Sequence, residues 1–303
     1  MESLAKRFGD TEAVRSVSFE VDRGEVYALL GPNGAGKTTT VEILEGFTPR
    51  DSGRVAVLGL DPADRSNEQR LRQRMGVVLQ ELAVEPFLTV RQALERNAGY
   101  YPNPRPVAEI LDLVGLRSKA DDRVRTLSGG QQRRLDLGLG IVGNPDILFL
   151  DEPTTGFDPS ARREAWDVVR ALTSGGTTVI LTTHYMDEAE ALADRIGIIS
   201  AGRLVAQGTP RSLGGRDVGE ATISFRLPAG TDPAVLPVAV TPNGDSFEIR
   251  THEVVRALAA LTAWSLAEAV DLTGLTVERL TLEDVYLRLT GSGPGAAAPE
   301  VLT

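Results

Sequence analysis

The hydrophobic pattern of this chain changes character near residues 213–219, a glycine-rich turn region. Ahead of it, short apolar runs alternate with stretches of helical composition. EVYALL (25–30) is an apolar run ending at Gly31, and TTTVEILEGF behind it is helix-compatible and stops near Gly46. GRVAVLG (53–59) reads as a strand, SNEQRLRQRM as a polar helix, and GVVLQE as a strand running into a loop at Gln80. Residues 89–99 and 107–116 read as two helices joined by the proline-rich link 100–106, and a further helix begins after Gly130. DILFLD has the look of a buried strand, and PSARREAWDVVRAL of a helix with proline near its start. TTVILTTH reads as a strand, MDEAEALADR as a helix, and RIGIIS and GRLVAQG as two strands. Strands alternating with helices predict an α/β fold with a largely parallel sheet and crossover helices.

Past the turn region the period becomes two. In ATISFRL, Ile223, Phe225 and Leu227 alternate with Thr222, Ser224 and Arg226, and Phe247 and Ile249 alternate with Glu248 and Arg250. An apolar-rich helix follows at about 253–270, then a strand around 275–280. Leu282, Val285, Tyr286 and Leu289 stand at i, i+3, i+4 and i+7, one face of a helix. This part predicts a small α+β domain over 216–291. The tail 292–303, SGPGAAAPEVLT, has linker composition and is expected to be disordered.

Composition narrows the picture in four ways. A chain of 303 residues exceeds one typical domain, so two are expected. No apolar run approaches the roughly 20 residues of a membrane span, and no charged-then-apolar leader stands at the N-terminus, so the chain reads as soluble. Net charge is −10, and residues 216–303 hold 6 basic against 12 acidic side chains, so no nucleic-acid partner is expected. Cysteine is absent and histidine occurs only at His184 and His252, which excludes disulfides, thiolate metal sites and multi-histidine metal sites.

Four short stretches carry chemistry. GPNGAGKT, Gly31 through Thr38, matches G-x-x-x-x-G-K-[ST] between a strand and a helix. There Gly31, Asn33, Gly34, Ala35, Gly36, Lys37, Thr38 and Thr39 form a phosphate cradle, with Lys37 on the β- and γ-phosphates and Thr38 on Mg²⁺. Asp151 ends the run ILFLD, where a carboxylate faces the ligand crevice of an open sheet and can hold the Mg²⁺ of a nucleotide. Glu152 follows, placed to polarise a water. His184 ends a third strand, where a donor can serve the γ-phosphate. Gln80 ends GVVLQ in the same way, and its amide can bind Mg²⁺ or water weakly.

TLSGGQQRRL (126–135) holds a second glycine loop with a serine and no lysine. An ordinary helix N-cap explains Ser128. The cradle for one nucleotide is already complete at 31–39, however. A second donor loop has a use if it closes over a nucleotide held by another copy of the chain, each copy completing its partner's site in a two-fold dimer.

Taken in order, GPNGAGKTT, Gln80, LSGGQ, ILFLDE, the TGFDP turn and His184 resemble the nucleotide-binding subunit of ABC transporters, over about residues 1–213. The resemblance implies a P-loop NTPase domain over 1–215, with an antiparallel β subdomain and a helical subdomain at about 81–140, and a C-terminal accessory domain beyond it. It implies that Ser128, Gly130 and Gln131 contact the ATP of the opposing subunit, that Glu152 is the catalytic base, and that Gln80 serves Mg²⁺ and coupling. It makes Asp158 a cross-dimer contact and Phe8, in KRFG, the aromatic that stacks on adenine. Family members have a full strand ahead of that segment, whereas only residues 1–5 precede it here. The turn carries Phe157 where leucine is usual. FLTVRQALERNAGYY and LTLEDVYLRLTG are similar to bacterial drug-resistance exporter ATPases of the daunorubicin-resistance type. The implied activity is ATP hydrolysis, with ATP and Mg²⁺, driving export through a separate integral membrane permease, from the cytoplasmic side of the membrane. The alternatives are an importer ATPase, or a non-transport ABC ATPase acting on ribosomes or DNA. A single phosphate loop and the lack of a heptad array weigh against the last.

Overall fold

The computed structural model describes residues 1–78, 84–216, 219–228 and 230–290. Gln80 and the tail 292–303 lie outside the described residues. Two compact units emerge, one built on Met1–Pro210 and the other on Arg211–Leu287.

The first unit runs β1 (Glu2–Phe8), β2 (Thr11–Val17), β3 (Val26–Leu30), α1 (Lys37–Glu45), β4 (Ser52–Arg54), α2 (Glu68–Arg72) and β5 (Met75–Val78). It continues with α3 (Val90–Ala98), α4 (Val107–Leu113), α5 (Gly129–Ile141), β6 (Ile147–Asp151), α6 (Pro159–Ser174), β7 (Thr178–Thr183), α7 (Met186–Leu192), β8 (Arg195–Ser200) and β9 (Arg203–Gly208). Its main sheet has six strands in the order β5-β6-β7-β3-β8-β9. All neighbours are parallel except β8 and β9. β3 lies inside this sheet, and all five of its residues are buried. That explains why VYALL is a continuous apolar run with no alternation.

The register brings the functional loops together. Leu30 pairs with Thr183, Asp151 with Thr182, and Val78 with Leu150. The carboxyl ends of β3, β7, β6 and β5 therefore emerge side by side. In an open α/β sheet this edge is where ligands bind.

A three-stranded antiparallel sheet, β2-β1-β4, completes the unit's β structure. Phe19 stacks on Tyr27 with centroids 4.7 Å apart, and the Arg15 amide donates to the Gly202 carbonyl at 2.6 Å. Here the sequence reading is corrected. The KRF segment lies within β1 and does not follow it, so β1 is a seven-residue strand. GRVAVLG is not one strand, since β4 stops at Arg54. Val57 and Leu60 then exchange amide–carbonyl bonds at 2.8 and 2.9 Å around a tight turn. Leu58 and Gly59 both have positive φ there, 52° and 78°, the backbone of a type I′ turn. SNEQRLRQRM gives only the short α2, preceded by a 3₁₀ turn that Asp64 caps.

The second unit contains β10 (Ala221–Arg226), β11 (Thr241–Asn243), β12 (Ser246–Thr251), α8 (Val254–Ala267) and β13 (Thr273–Arg279), and α9 (Leu282–Thr290) begins within it. Its antiparallel sheet has the order β11-β12-β10-β13. Ile223, Phe225 and Ile249 pack with Ala257 and Leu261 of α8, which is why those strand positions alternate. β13 is the exception. It lies at the sheet edge and all its residues are exposed. Among the described residues no helix is long and apolar enough to cross a membrane.

Candidate functional site

The glycine loop between β3 and α1 is shaped by what surrounds it. A Cβ on Gly31 would stand 2.3 Å from the Ile199 carbonyl oxygen, and one on Gly36 the same distance from that of Ala13. Gly36 also holds φ 102° as the N-cap of α1. Only glycine lets the backbone pass this close, which leaves N–H groups free to line a concave anion site. Lys37 is 6% exposed, and its Nζ donates to the Gly31 and Pro32 carbonyls at 2.7 and 3.2 Å. Burial pushes its ammonium pKa down, against the pull of Glu152 and Asp151. Asn33, Gly34 and Thr38 are exposed, Thr39 is half-buried and Ala35 buried.

Beside the loop stand the ends of β6 and β7. The Thr182 hydroxyl donates to Asp151 Oδ1. Glu152 has φ 46°, a left-handed backbone that a side chain rarely adopts. Its amide is held by the Thr182 carbonyl at 3.1 Å and hydroxyl at 3.2 Å. This sharp exit turns the carboxylate toward β7, where Oε1 lies 3.2 Å from His184 Nδ1. The Thr155 hydroxyl donates to Oε2 at 3.3 Å. The His184 side chain is 40% exposed and that of Glu152 17%. An ammonium, two carboxylates, a free hydroxyl at Thr38 and an imidazole thus share one sheet edge. That set can bind phosphates, support a hard cation and polarise a water.

Two supports of this edge escaped the sequence reading. Arg133 of α5 donates to the carbonyls of Asp151, Glu152 and Pro153 at 3.0, 3.2 and 3.0 Å, and to Asp136 at 2.7 Å. It fixes the strained exit from β6. Its signal was a cation in the early turns of a helix, where the dipole disfavours one. Glu188 of α7 is fully buried and accepts from the Thr154 hydroxyl at 2.9 Å and Trp166 Nε1 at 3.3 Å. Burial pushes its carboxyl pKa up despite these donors. Glu188 thereby ties the segment after Glu152 to the helix that starts after His184. Nothing local in MDEAEAL marked it.

Other predicted residues lie apart from this group. Among the described residues no hydrogen bond or ion pair links Ser128, Gly130 or Gln131 to residues 31–39. Ser128 and Gln131 instead form a reciprocal capping box at 3.0 and 3.3 Å, and α5 starts at Gly129, ahead of the start after Gly130 that the sequence suggested. Asp158 caps α6, with Oδ1 accepting from the Ser160 and Ala161 amides, both at 2.9 Å. Phe8 ends β1, 51% exposed, with Lys6 Nζ 5.1 Å from its ring centroid.

Known proteins resemble this chain along most of its length. The ABC transporter family model matches residues 14–155. A second model, the C-terminal domain of ABC transporter domain-containing protein-like chains, matches residues 221–281. The Nod factor export ATP-binding protein I of Burkholderia lata is 40% identical over 296 residues, 95% of each chain. The daunorubicin resistance ATP-binding protein DrrA2 of Streptomyces coeruleorubidus is 40% identical over 307 residues, 96% of this chain and 94% of the relative. Among solved structures, cbiO1 of Clostridium perfringens, part of the ABC transporter complex cbiONQ, superposes with a TM-score of 0.64 and 30% identity. That superposition covers 70% of this chain and 88% of the other. Likeness at this level, over 94–95% of the relatives' own length, means that the chain belongs to the ABC transporter family, among its ATP-binding, ATP-hydrolysing subunits.

Proposed function

We propose that this chain powers export of drugs or other small molecules through a separate membrane permease, acting at the cytoplasmic face of the membrane as a dimer of two copies. The observation that carries the catalytic part is the 3.2 Å approach of His184 Nδ1 to Glu152 Oε1 beside the buried Lys37. Lys37 and the loop amides hold the β- and γ-phosphates. Glu152 takes the proton of the attacking water, and His184 supports the γ-phosphate as charge develops. Arg133 and Glu188 keep these two groups at their separation.

The residues present fit Mg²⁺. Thr38 offers an exposed hydroxyl and Asp151 a carboxylate, hard oxygen donors suited to that ion. Among the described residues no three His, Cys, Asp or Glu side chains cluster. An ion held here therefore takes its remaining oxygens from the triphosphate and water, as Mg²⁺ commonly does. When bound it neutralises phosphate charge. Gln80 is the further Mg²⁺ and coupling residue in this reading.

The second copy supplies what one chain lacks. Ser128, Gly130 and Gln131 are exposed or half-buried at the start of α5 and satisfy no group of their own chain's phosphate loop. Across a two-fold axis they would serve the partner's γ-phosphate, with Asp158 contacting the partner and Phe8 stacking on adenine. The helical region at 81–140 transmits opening and closing to the permease, and residues 216–291 act as an accessory domain. The names of the relatives, one for export and one for daunorubicin resistance, support the export reading.

The Glu152→Gln variant tests the mechanism. ATP binding should persist, turnover should fall at least ~100-fold, and an ATP-dependent dimer should accumulate on size-exclusion chromatography. Unchanged turnover would remove Glu152 from its assigned role.

A further inference from the structure

Strand β7 lies inside the main sheet, and all six of its residues are buried. A strand so placed is expected to carry aliphatic side chains. Val179, Ile180 and Leu181 follow that rule, but the strand ends on Thr182 and Thr183, both 0% exposed. A buried hydroxyl is costly unless its hydrogen bonds are made. Successive strand residues face opposite sides of the sheet, so the two hydroxyls have different tasks. That of Thr183 accepts from the Tyr185 amide at 3.0 Å and serves Glu188. That of Thr182 is spent on the catalytic edge.

Register puts it there. Thr182 is level with Asp151 on β6 and with Leu29 on β3. It therefore has a carboxylate on one side and an apolar side chain on the other. A hydroxyl has a single proton to give and lone pairs to accept with. This one accepts from the Glu152 amide at 3.2 Å and donates its proton to Asp151 Oδ1. One oxygen atom thus touches both the residue that suits the cation and the residue that suits the water. The Thr182 carbonyl takes a second share of the Glu152 amide at 3.1 Å, so the left-handed turn at Glu152 has its N–H anchored by one residue. Among the described residues no hydrogen bond or ion pair reaches the other carboxylate oxygen, Asp151 Oδ2.

We infer that Thr182 is a positioning residue for the cation and the base together. Its proton occupies Oδ1 of Asp151 and leaves Oδ2 for Mg²⁺, and its lone pair keeps Glu152 in the turn that faces His184. Thr182 acts through these two residues and not on the nucleotide itself. Carboxylates that bind metals are commonly oriented by such an outer donor, and losing it weakens the metal contact. The inference rests on the Mg²⁺ reading above and adds the residue that orients the ion's protein ligand.

The test uses the full chain and a fluorescent, non-hydrolysable ATP analogue, titrated once with Mg²⁺ and once with EDTA. On the unmodified chain Mg²⁺ should tighten the analogue at least ~10-fold. Thr182→Val keeps the shape of the side chain and removes the hydroxyl. It should lose most of that gain while binding as the unmodified chain does in EDTA. Thr182→Ser restores the hydroxyl and should recover the gain, and Thr183→Val, on the opposite face, should keep it. In a Mg²⁺ titration of turnover the Thr182→Val variant should need about tenfold more ion. Its turnover should stay at least ~10-fold down once the ion saturates, because Glu152 has lost one of its holds. A full Mg²⁺ gain in Thr182→Val, or an equal loss in Thr182→Ser or Thr183→Val, would overturn the inference and leave the Mg²⁺ reading standing. No gain on the unmodified chain would sink both. If weak binding in EDTA shows that valine packs poorly, Thr182→Ala repeats the comparison with less bulk.

Discussion

The chain has two glycine loops at helix starts, and they are constrained in opposite ways. In the loop at 31–37 the fold itself demands glycine. A Cβ on Gly31 or Gly36 would collide with a backbone oxygen at 2.3 Å, and Gly36 sits at φ 102°. In the loop at 128–130 the fold demands nothing of the kind. A Cβ on Gly129 or Gly130 meets no atom within 4 Å, and neither residue has a positive φ. Ser128 is satisfied by its own capping box. Glycine in a helix start with open space around it costs stability relative to alanine. The first loop is thus explained from within one chain. The second finds no such explanation there, which is the physical ground for giving it a partner's nucleotide.

Three substitutions can break or sharpen that contrast. The largest effect belongs to Gly36→Ala, which sets a Cβ against Ala13 in a left-handed backbone. It should cost ~3 kcal/mol of stability and remove ATP binding together, as read by urea melts and a fluorescent ATP analogue. Survival of both would show that the first loop is less constrained than its contacts imply. Next comes Gly130→Ala, in the first turn of α5. This variant should gain up to ~1 kcal/mol in the same melts, because alanine is the better helix former. Its steady-state turnover should nevertheless fall at least ~10-fold if, as proposed, this turn closes over the partner's nucleotide, where a methyl group would intrude. A variant that is both more stable and fully active would leave the second loop a mere helix start. The smallest effect is that of Ser128→Ala. Loss of the capping box should cost ~1 kcal/mol, while ATP affinity measured at protein concentrations too low for dimers stays unchanged. Weakened binding there would place Ser128 at its own chain's nucleotide.

Much of the fold was legible because its signals are local. EVYALL, ILFLD and TTVILTT are apolar runs short enough to be strands, the first running into the glycine loop and the other two ending at Asp151 and Thr183. GPNGAGKT carries its own chemistry in its spacing. The misreadings have identifiable causes. GRVAVLG looked like one strand because its valines are buried, but Gly59 permits a turn that composition alone does not reveal. β1 and β2 are mostly polar, and no apolar run announces either. The supports of the site were hidden by distance in sequence. Arg133 meets its carbonyls 18 to 20 residues away, and Glu188 meets Thr154 at a separation of 34.

By itself the sequence determined the strands of the main sheet, where the phosphate loop lies and which acid and imidazole end their strands. These follow from periodicity and spacing over a few residues, where chain connectivity leaves little freedom. The tertiary structure alone decided that β3 would lie between β7 and β8, so that residues 31, 151 and 184 share one edge. It likewise decided that Glu152 would bend back to His184. Those outcomes depend on strand order, register and burial, which arise only when distant segments pack and water is excluded from between them.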